Sequence, residues 1–286
     1  MPEHCKPVIL NNNHTDLLNR FLTSRAESSL MLLSNSRTAG LEYQGEIFQG
    51  TYAAYLDNDV ITGVAAHFWN GMVFLQAPKN AAGLFNAVTA ASGRDCAGIA
   101  GPYDQVQEVL PEIRKEYPAP TLNGREILFS LCLDDLVVPA LLRQDGVTCR
   151  HPTDDEVLGL INLRTAFMQE TAGQDRESFR KEACDLVRAQ QQKNNLWVLE
   201  AAGIIAATTA IGAEVSGMVQ VGGVYTLPGY RSRGYGRVVV AGSLLEVRKR
   251  GAKKAILFTG TDMPAAQKVY RALGFRAIGE YGLVIF

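Results

Sequence analysis

The sequence predicts an α/β (α+β) chain of two tandem domains, because one order of elements occurs twice along it. Each half reads as a helical start, three strands, a helix, a strand, a helix and a strand. Composition agrees with a globular fold: of 286 residues, 47% are hydrophobic and 20% charged. That is enough apolar material for one large core or two medium ones. The halves meet near Arg143–Gly146, a polar stretch with a glycine just before the strand-like run Val147–Arg150. The expected domains are therefore 1–145 and 146–286.

In the first half, Leu17, Leu18, Phe21 and Leu22 follow helical spacing. Phe48–Leu56 turns at Asp57-Asn58-Asp59 into Val60–Trp69, and Asn70-Gly71, a strong hairpin signal, leads into Met72–Ala77. A helix over Ala81–Ala91, a strand near Cys96–Ile99, a helix near Gln105–Lys115 and a strand at Ile127–Leu133 complete the half. In the second half, Thr153-Asp154-Asp155-Glu156 is a capping box that starts a helix running to about Glu170. Phe179, Ala183, Leu186 and Val187 mark one face of a second helix. Leu196–Glu200 and Ile204–Ile211 form a hairpin around Ala202-Gly203, with Glu214 expected in the next turn and Val219–Leu227 as third strand. Helix Gly234–Arg250, strand Ala255–Thr259, helix Pro264–Leu273 and strand Tyr281–Phe286 close the chain.

Bulk properties exclude several classes. With 28 basic and 29 acidic residues the net charge is −1, so no strong field draws in nucleic acid or an anionic membrane. The basic run at Arg248–Arg250 and Lys253-Lys254 reads as the wet end of a helix. Cys5, Cys96, Cys132, Cys149 and Cys184 are scattered and form no CxxC pair, which argues against a disulfide framework and a zinc site. Cys132 and Cys149 are expected to be core thiols, and His67, inside an apolar strand, a structural histidine. No apolar signal segment follows Met1–Lys6, and no run reaches the ~18 apolar residues of a membrane helix. A reducing cytoplasm is the expected location.

One constellation carries chemistry. Strand Val219–Leu227 ends in a Pro228-Gly229 turn, and a helix begins near Gly234. The loop between reads Arg231-x-x-Gly234-x-Gly236. Glycines let a backbone approach a ligand closely, and N–H groups at a helix start favour an anion. Arg231 and Arg233 add positive charge, so a pyrophosphate is the natural guest; a plain tight turn with solvated arginines is the alternative. There is no GxxxxGK[ST], and no third glycine completes a dinucleotide fingerprint. A second segment follows strand Ala255–Thr259: Asp262-Met263-Pro264-Ala265 leads through Tyr270 to Gly274-Phe275. Ala265, Val269 and Leu273 share a helix face that ends at a C-cap glycine, so Tyr270 alone could be a core-edge aromatic.

Together these two segments resemble the GNAT acetyltransferase superfamily. The first is similar to its acyl-CoA loop, R/Q-x-x-G-x-G/A, and the second to N-x-x-A-x-x-x-Y before a Gly-Phe helix end. The resemblance covers residues 146–286 by motif and 1–145 by element order alone. It implies two tandem GNAT-like domains, each a mixed, mostly antiparallel sheet flanked by helices. The first is then a degenerate copy, for Pro78-Lys79-Asn80-Ala81-Ala82-Gly83 replaces the loop.

The resemblance also implies roles. Val224, Tyr225 and Thr226 would hold pantetheine and polarise the thioester. Arg231 and Ser232, with the amides of Arg233, Gly234, Tyr235, Gly236 and Arg237, would hold the pyrophosphate of acetyl-CoA (coenzyme A), the cosubstrate. Asp262, standing where the family has Asn, and Ala265 would flank it, although a carboxylate near phosphate must point away. Tyr270 would be the general acid, and Glu170, at the first helix end, the candidate base. No metal is required. The implied activity is N-acetyl transfer to an amine of a small molecule or peptide. The alternatives are a non-catalytic acyl-CoA sensor, or transfer from aminoacyl-tRNA, against which the intact loop and weak net charge count. A tandem chain can stand as a monomer, and a homo-oligomer is left open.

Overall fold

A computed structural model describes residues 6–113, 117–172 and 177–286. Cys5 and Lys115, named above, lie outside the described residues. The chain forms two compact units: Met1–Glu126 with Glu280–Phe286, and Ile127–Gly279.

The first unit contains β1 (Val8–Ile9), α1 (Thr15–Thr23), α2 (Ala26–Ala39), β2 (Gly50–Asp57), β3 (Val60–Phe68), β4 (Met72–Gln76), α3 (Ala81–Ser92), β5 (Gly98–Pro102) and α4 (Tyr103–Ile113). Strand β6 (Leu122–Cys132) leads into the second unit. That unit contains β7 (Val147–Arg150), α5 (Val157–Ala172), α6 (Glu177–Gln192), β8 (Leu196–Ala201), β9 (Ile204–Val215), β10 (Met218–Thr226), α7 (Tyr235–Lys249), β11 (Lys254–Gly260) and α8 (Pro264–Ala272). Strand β12 (Arg276–Ile285) returns to the first.

The repeat expected from element order is present in strand order. The first unit runs β1-β2-β3-β4-β5, and residues 281–285 of β12 pair antiparallel with β5. The second runs β7-β8-β9-β10-β11, with β6 beside β11. The runs β1-β2-β3-β4 and β7-β8-β9-β10 are antiparallel, whereas β4 pairs parallel with β5 over Met72–Phe74 and β10 pairs parallel with β11 over Met218–Gln220. A boundary at Arg143–Gly146 therefore differs from the compact division, which falls within β6 and again within β12. Each half ends in a strand that completes the sheet of the other half's unit, an exchange that element order cannot reveal.

Strand β8 shows why both sheet faces are covered. Leu196 and Val198 enter a core with Leu160, Ile161 and Val187 of α5 and α6. Trp197 and Leu199, pointing the other way, enter a core with Val238, Leu244 and Leu273 of the α7 side. A continuous apolar run of this kind is expected for a strand buried on both faces. The Thr153 capping box forms, Thr153 N–H donating 2.8 Å to Glu156. Arg150 clamps Glu156 and Glu200, each at 2.7 Å. The Arg150 guanidinium holds the Glu156 carboxyl down to about 2.

The expectations for Cys132 and Glu214 need correction, whereas Cys149 packs against the core. Cys132 is exposed, not a core thiol: Leu131 and Leu133 take the inward positions on either side of it. Cys149 is half-buried, with burial pushing its thiol up to about 12. Glu214 lies within β9 rather than in a turn, because the reversal falls at Ser216-Gly217, both with positive φ. Such a pair suits a two-residue hairpin. Among the described residues no helix is long and apolar enough to cross a membrane.

Candidate active site

The site lies where β10 stops pairing with β11. The two strands are in register from Met218↔Lys254 to Gln220↔Ile256. Beyond that, β10 runs on to Thr226 and β11 to Gly260 without register partners between them. On its other side β10 stays paired with β9, but Gly222↔Ala210 is followed by Tyr225↔Thr208. Two residues, Gly223 and Val224, therefore face one, a β-bulge. Gly223 has φ +58°, a conformation that costs other residues about 1–2 kcal/mol.

The loop after β10 builds a helix start without a side-chain cap. Arg231 is extended, Ser232 has φ +63° and Gly234, the N-cap of α7, has φ +80°. No side chain caps α7, so the N–H groups of its first turn, Tyr235, Gly236 and Arg237, have no intrahelical partner. Arg231 Nε donates 3.0 Å to the Thr226 carbonyl, folding the loop back on the strand end. A Cβ on Gly236 would sit 3.2 Å from Thr226 Oγ1. Arg233 lies over the Tyr230 ring, which is 6.4 Å from that of Tyr235. The Nε of Arg237 is buried without a hydrogen-bond partner.

Glu170 joins this loop, which the sequence could not show. Its Oε1 accepts from the Tyr225 hydroxyl at 2.7 Å, and Arg231 Nη2 donates to both carboxylate oxygens at 3.1 and 2.8 Å. The Tyr225 hydrogen bond, then Arg231, holds the Glu170 carboxyl below its ordinary value. Burial, then the bond to Glu170, raises the Tyr225 phenol. The Glu170–Arg231 pair is about half exposed (side chains 50% and 46%), so it contributes only ~0–1 kcal/mol.

Tyr270, on α8, is only 8% exposed, its ring 6.3 Å from Phe129 and 6.0 Å from Phe275. Asp262 and Ala265 are exposed just beyond β11. A Cβ on Gly260 would meet Asp262 Oδ1 at 2.5 Å, so the carboxylate turns back over the strand end. Gln267 donates to the Gly260 and Thr261 carbonyls at 2.8 and 3.1 Å and pins the same turn. Val224 is half-buried against the α7 core.

Sequence reasoning missed Arg164. It lies about 1.7 turns before Glu170 on α5, its Nε is buried without a hydrogen-bond partner, and its guanidinium is 5.2 Å from the Phe167 ring. A Cβ at Gly223 would overlap its Nη1. Phe167 in turn meets Tyr225 edge-on at 6.3 Å. The Gly222-Gly223 pair inside a strand was the available signal for the bulge.

The first unit treats the corresponding helix start differently. Asn80 caps α3 from φ +53°, its Oδ1 accepting from Gly83 N–H at 3.3 Å and its Nδ2 donating 2.6 Å to the Tyr55 hydroxyl. Gln105 Oε1 accepts the Ala77 N–H at 2.6 Å.

Residues 157–275 match the family model described as the acetyltransferase (GNAT) family. No curated protein matches the chain in sequence. Among solved structures, a Drosophila protein superposes with a TM-score of 0.69 at 12% identity, covering 99% of each chain. A GCN5-related N-acetyltransferase from Sphaerobacter thermophilus gives 0.62 at 13%, covering 99% of this chain and 96% of its own. A tandem GNAT protein from the clavulanic acid biosynthesis pathway gives 0.58 at 12%, covering 98% and 97%. At these identities the likeness is one of fold, and it spans the whole chain.

Proposed function

We propose, on the premise that this chain carries a GNAT-family acetyltransferase domain over residues 157–275, that its second unit transfers an acetyl group from acetyl-CoA to an amine of a small molecule or peptide. The observation that carries this reading is the parting of β10 from β11 immediately before the uncapped start of α7. The opening offers strand N–H groups to a thioester, and the helix start offers N–H groups and a positive dipole end to a pyrophosphate. Arg231, Arg233 and Arg237 supply charge beside it.

The reaction needs one bond made and one broken. The amine nitrogen attacks the thioester carbonyl and the C–S bond breaks, leaving an amide and a thiolate. N–H groups of β10 beyond Gln220 face no β11 partner and suit the developing oxyanion; one such donor is worth ~10²–10³ in rate. Tyr270 protonates the thiolate. Glu170 takes the proton of the amine once its pair with Arg231 opens. That pair is weak enough to be exchanged when phosphate oxygens engage Arg231, since charge-assisted bonds to phosphate are the stronger partner.

The rival reading is a non-catalytic acyl-CoA sensor, and the packing of Tyr270 between Phe129 and Phe275 favours it. Tyr270→Phe separates the two. It keeps the ring and removes the donor, so as an acid it should lower kcat by ~10²–10⁴ and leave acetyl-CoA affinity nearly unchanged. A kcat within about twofold of wild type, far short of that range, would reduce Tyr270 to packing.

The first unit is a degenerate copy that binds no CoA. Its helix start is occupied by Asn80 and Tyr55, and the end of β4 by Gln105.

A further inference from the structure

We propose that Arg164 is the anchor for a carboxylate on the amine acceptor, so that this site selects amines that also carry an acid. The inference rests on the acetyl-transfer reading and deepens it.

The starting point is a charge without a partner. Arg164 makes no hydrogen bond or ion pair among the described residues, and its Nε is closed to solvent. Glu182 is the acidic group whose charge reaches it. A guanidinium carries five donors; Arg164 is half-buried, and closing its Nε to solvent without a partner is unfavourable. The Phe167 face returns only part of that cost. A fold that keeps this arrangement is prepared for an anion.

The surroundings place that anion in the reaction cleft. Arg164, Phe167 and Glu170 follow i, i+3, i+6 spacing and run down one flank of α5. Each of them meets β10 or a side chain from it: Arg164 at Gly223, Phe167 and Glu170 at Tyr225. The bulge makes room for the first contact, because only a residue without a Cβ leaves Nη1 its place. These are the positions of β10 that lie beyond its last pairing with β11. Arg164 and Glu170 are separated by a rise of about 9 Å along the helix. A molecule with an amine at one end and a carboxylate at the other can span from the base to the guanidinium. The planar fork of arginine favours a carboxylate gripped by two parallel bonds.

The test uses the full chain and two matched sets of probes. One set is the ω-amino acids from β-alanine to 6-aminohexanoate, and the other is the alkylamines of equal carbon number. O-phosphoethanolamine is a third probe. Calorimetry is run with and without CoA, and turnover is measured with acetyl-CoA. At least one amino acid should bind more tightly than its alkylamine by about 30-fold or more, the range for a buried charged pair losing one partner. Arg164→Met should remove that preference and leave alkylamine binding unchanged, while Arg164→Lys should restore part of it. Amino-acid binding that depends on Arg164 without any acetyl transfer would keep this inference and overturn the proposed activity. Transfer to alkylamines and amino acids alike, with Arg164→Met indifferent, would keep the activity and overturn the inference. Preference for O-phosphoethanolamine over every amino acid, or no binding of any probe, would also overturn it.

Discussion

Gly223→Ala perturbs the bulge and the guanidinium together. The residue holds φ +58°, which costs an alanine about 1–2 kcal/mol. Its new Cβ would occupy the place of Arg164 Nη1, so the guanidinium must leave and forfeit its contact with the Phe167 ring, about 0.5–2 kcal/mol. The total loss is about 1.5–4 kcal/mol. In an Arg164→Ala background the overlap is gone, and the same substitution should cost only the conformational part, about 1–2 kcal/mol. Urea unfolding followed by fluorescence measures both. The chain has two tryptophans, Trp69 and Trp197, and Trp197, 1% exposed in the core of the second unit, reports that unit once Trp69→Phe removes the other signal. Reading one unit avoids treating a two-unit chain as a single transition. If Gly223→Ala cost the same in both backgrounds, within the ~0.5 kcal/mol expected of independent sites, the contact between Gly223 and Arg164 would carry no energy.

Gly234→Glu should abolish acetyl-CoA binding, seen by calorimetry, while circular dichroism stays that of the fold; the new carboxylate would stand at the uncapped α7 start, where φ +80° already disfavours any side chain. Burial, then the Arg94 charge, lowers the imidazole of His67 to about 4 from an ordinary 6.5. The unfolded chain therefore takes up this proton first as pH falls, and stability is lost from about pH 6.5 down to pH 4, by about 3 kcal/mol in all. His67→Gln should flatten that part of the pH profile in thermal melts; an unchanged slope would mean that His67 is not buried neutral.

The fold was largely legible because its signals are local. Hairpin turns announce themselves as Asn58-Asp59 and Ala202-Gly203, all with positive φ, and the Thr153–Glu156 box marks a helix start by its spacing. What stayed hidden depends on partners distant in sequence. The exchange of β6 and β12 between units follows from pairing, not from order. The Arg231 motif marks an anion loop, but nothing in it says that Arg231 rests on Glu170, 61 residues earlier. Arg164 carries no motif at all; an arginine on an amphipathic helix reads as solvated until the facing strand is known to bulge.

The two helix starts show how the same order of elements can be prepared for different ends. An anion arriving at α3 would compete with Asn80 for the Gly83 N–H and with Tyr55 for space. Freeing that cap costs about 1 kcal/mol, and the tyrosine hydroxyl, lying where a Cβ on Gly83 would stand, blocks close approach. At α7 no side chain caps the helix start among the described residues, and the neighbouring Arg231 is held by a half-exposed pair with Glu170 worth no more than ~1 kcal/mol. Exchange of Arg231 onto the anion leaves the Tyr225 bond, the larger cause of the lowered Glu170 carboxyl, in place and removes the smaller one, the Arg231 contact. Arg231 is thus placed to couple occupation of the helix start to the basicity of a group on the acceptor side. Under the acetyl-transfer reading, that coupling favours proton removal only when the donor thioester is already in place.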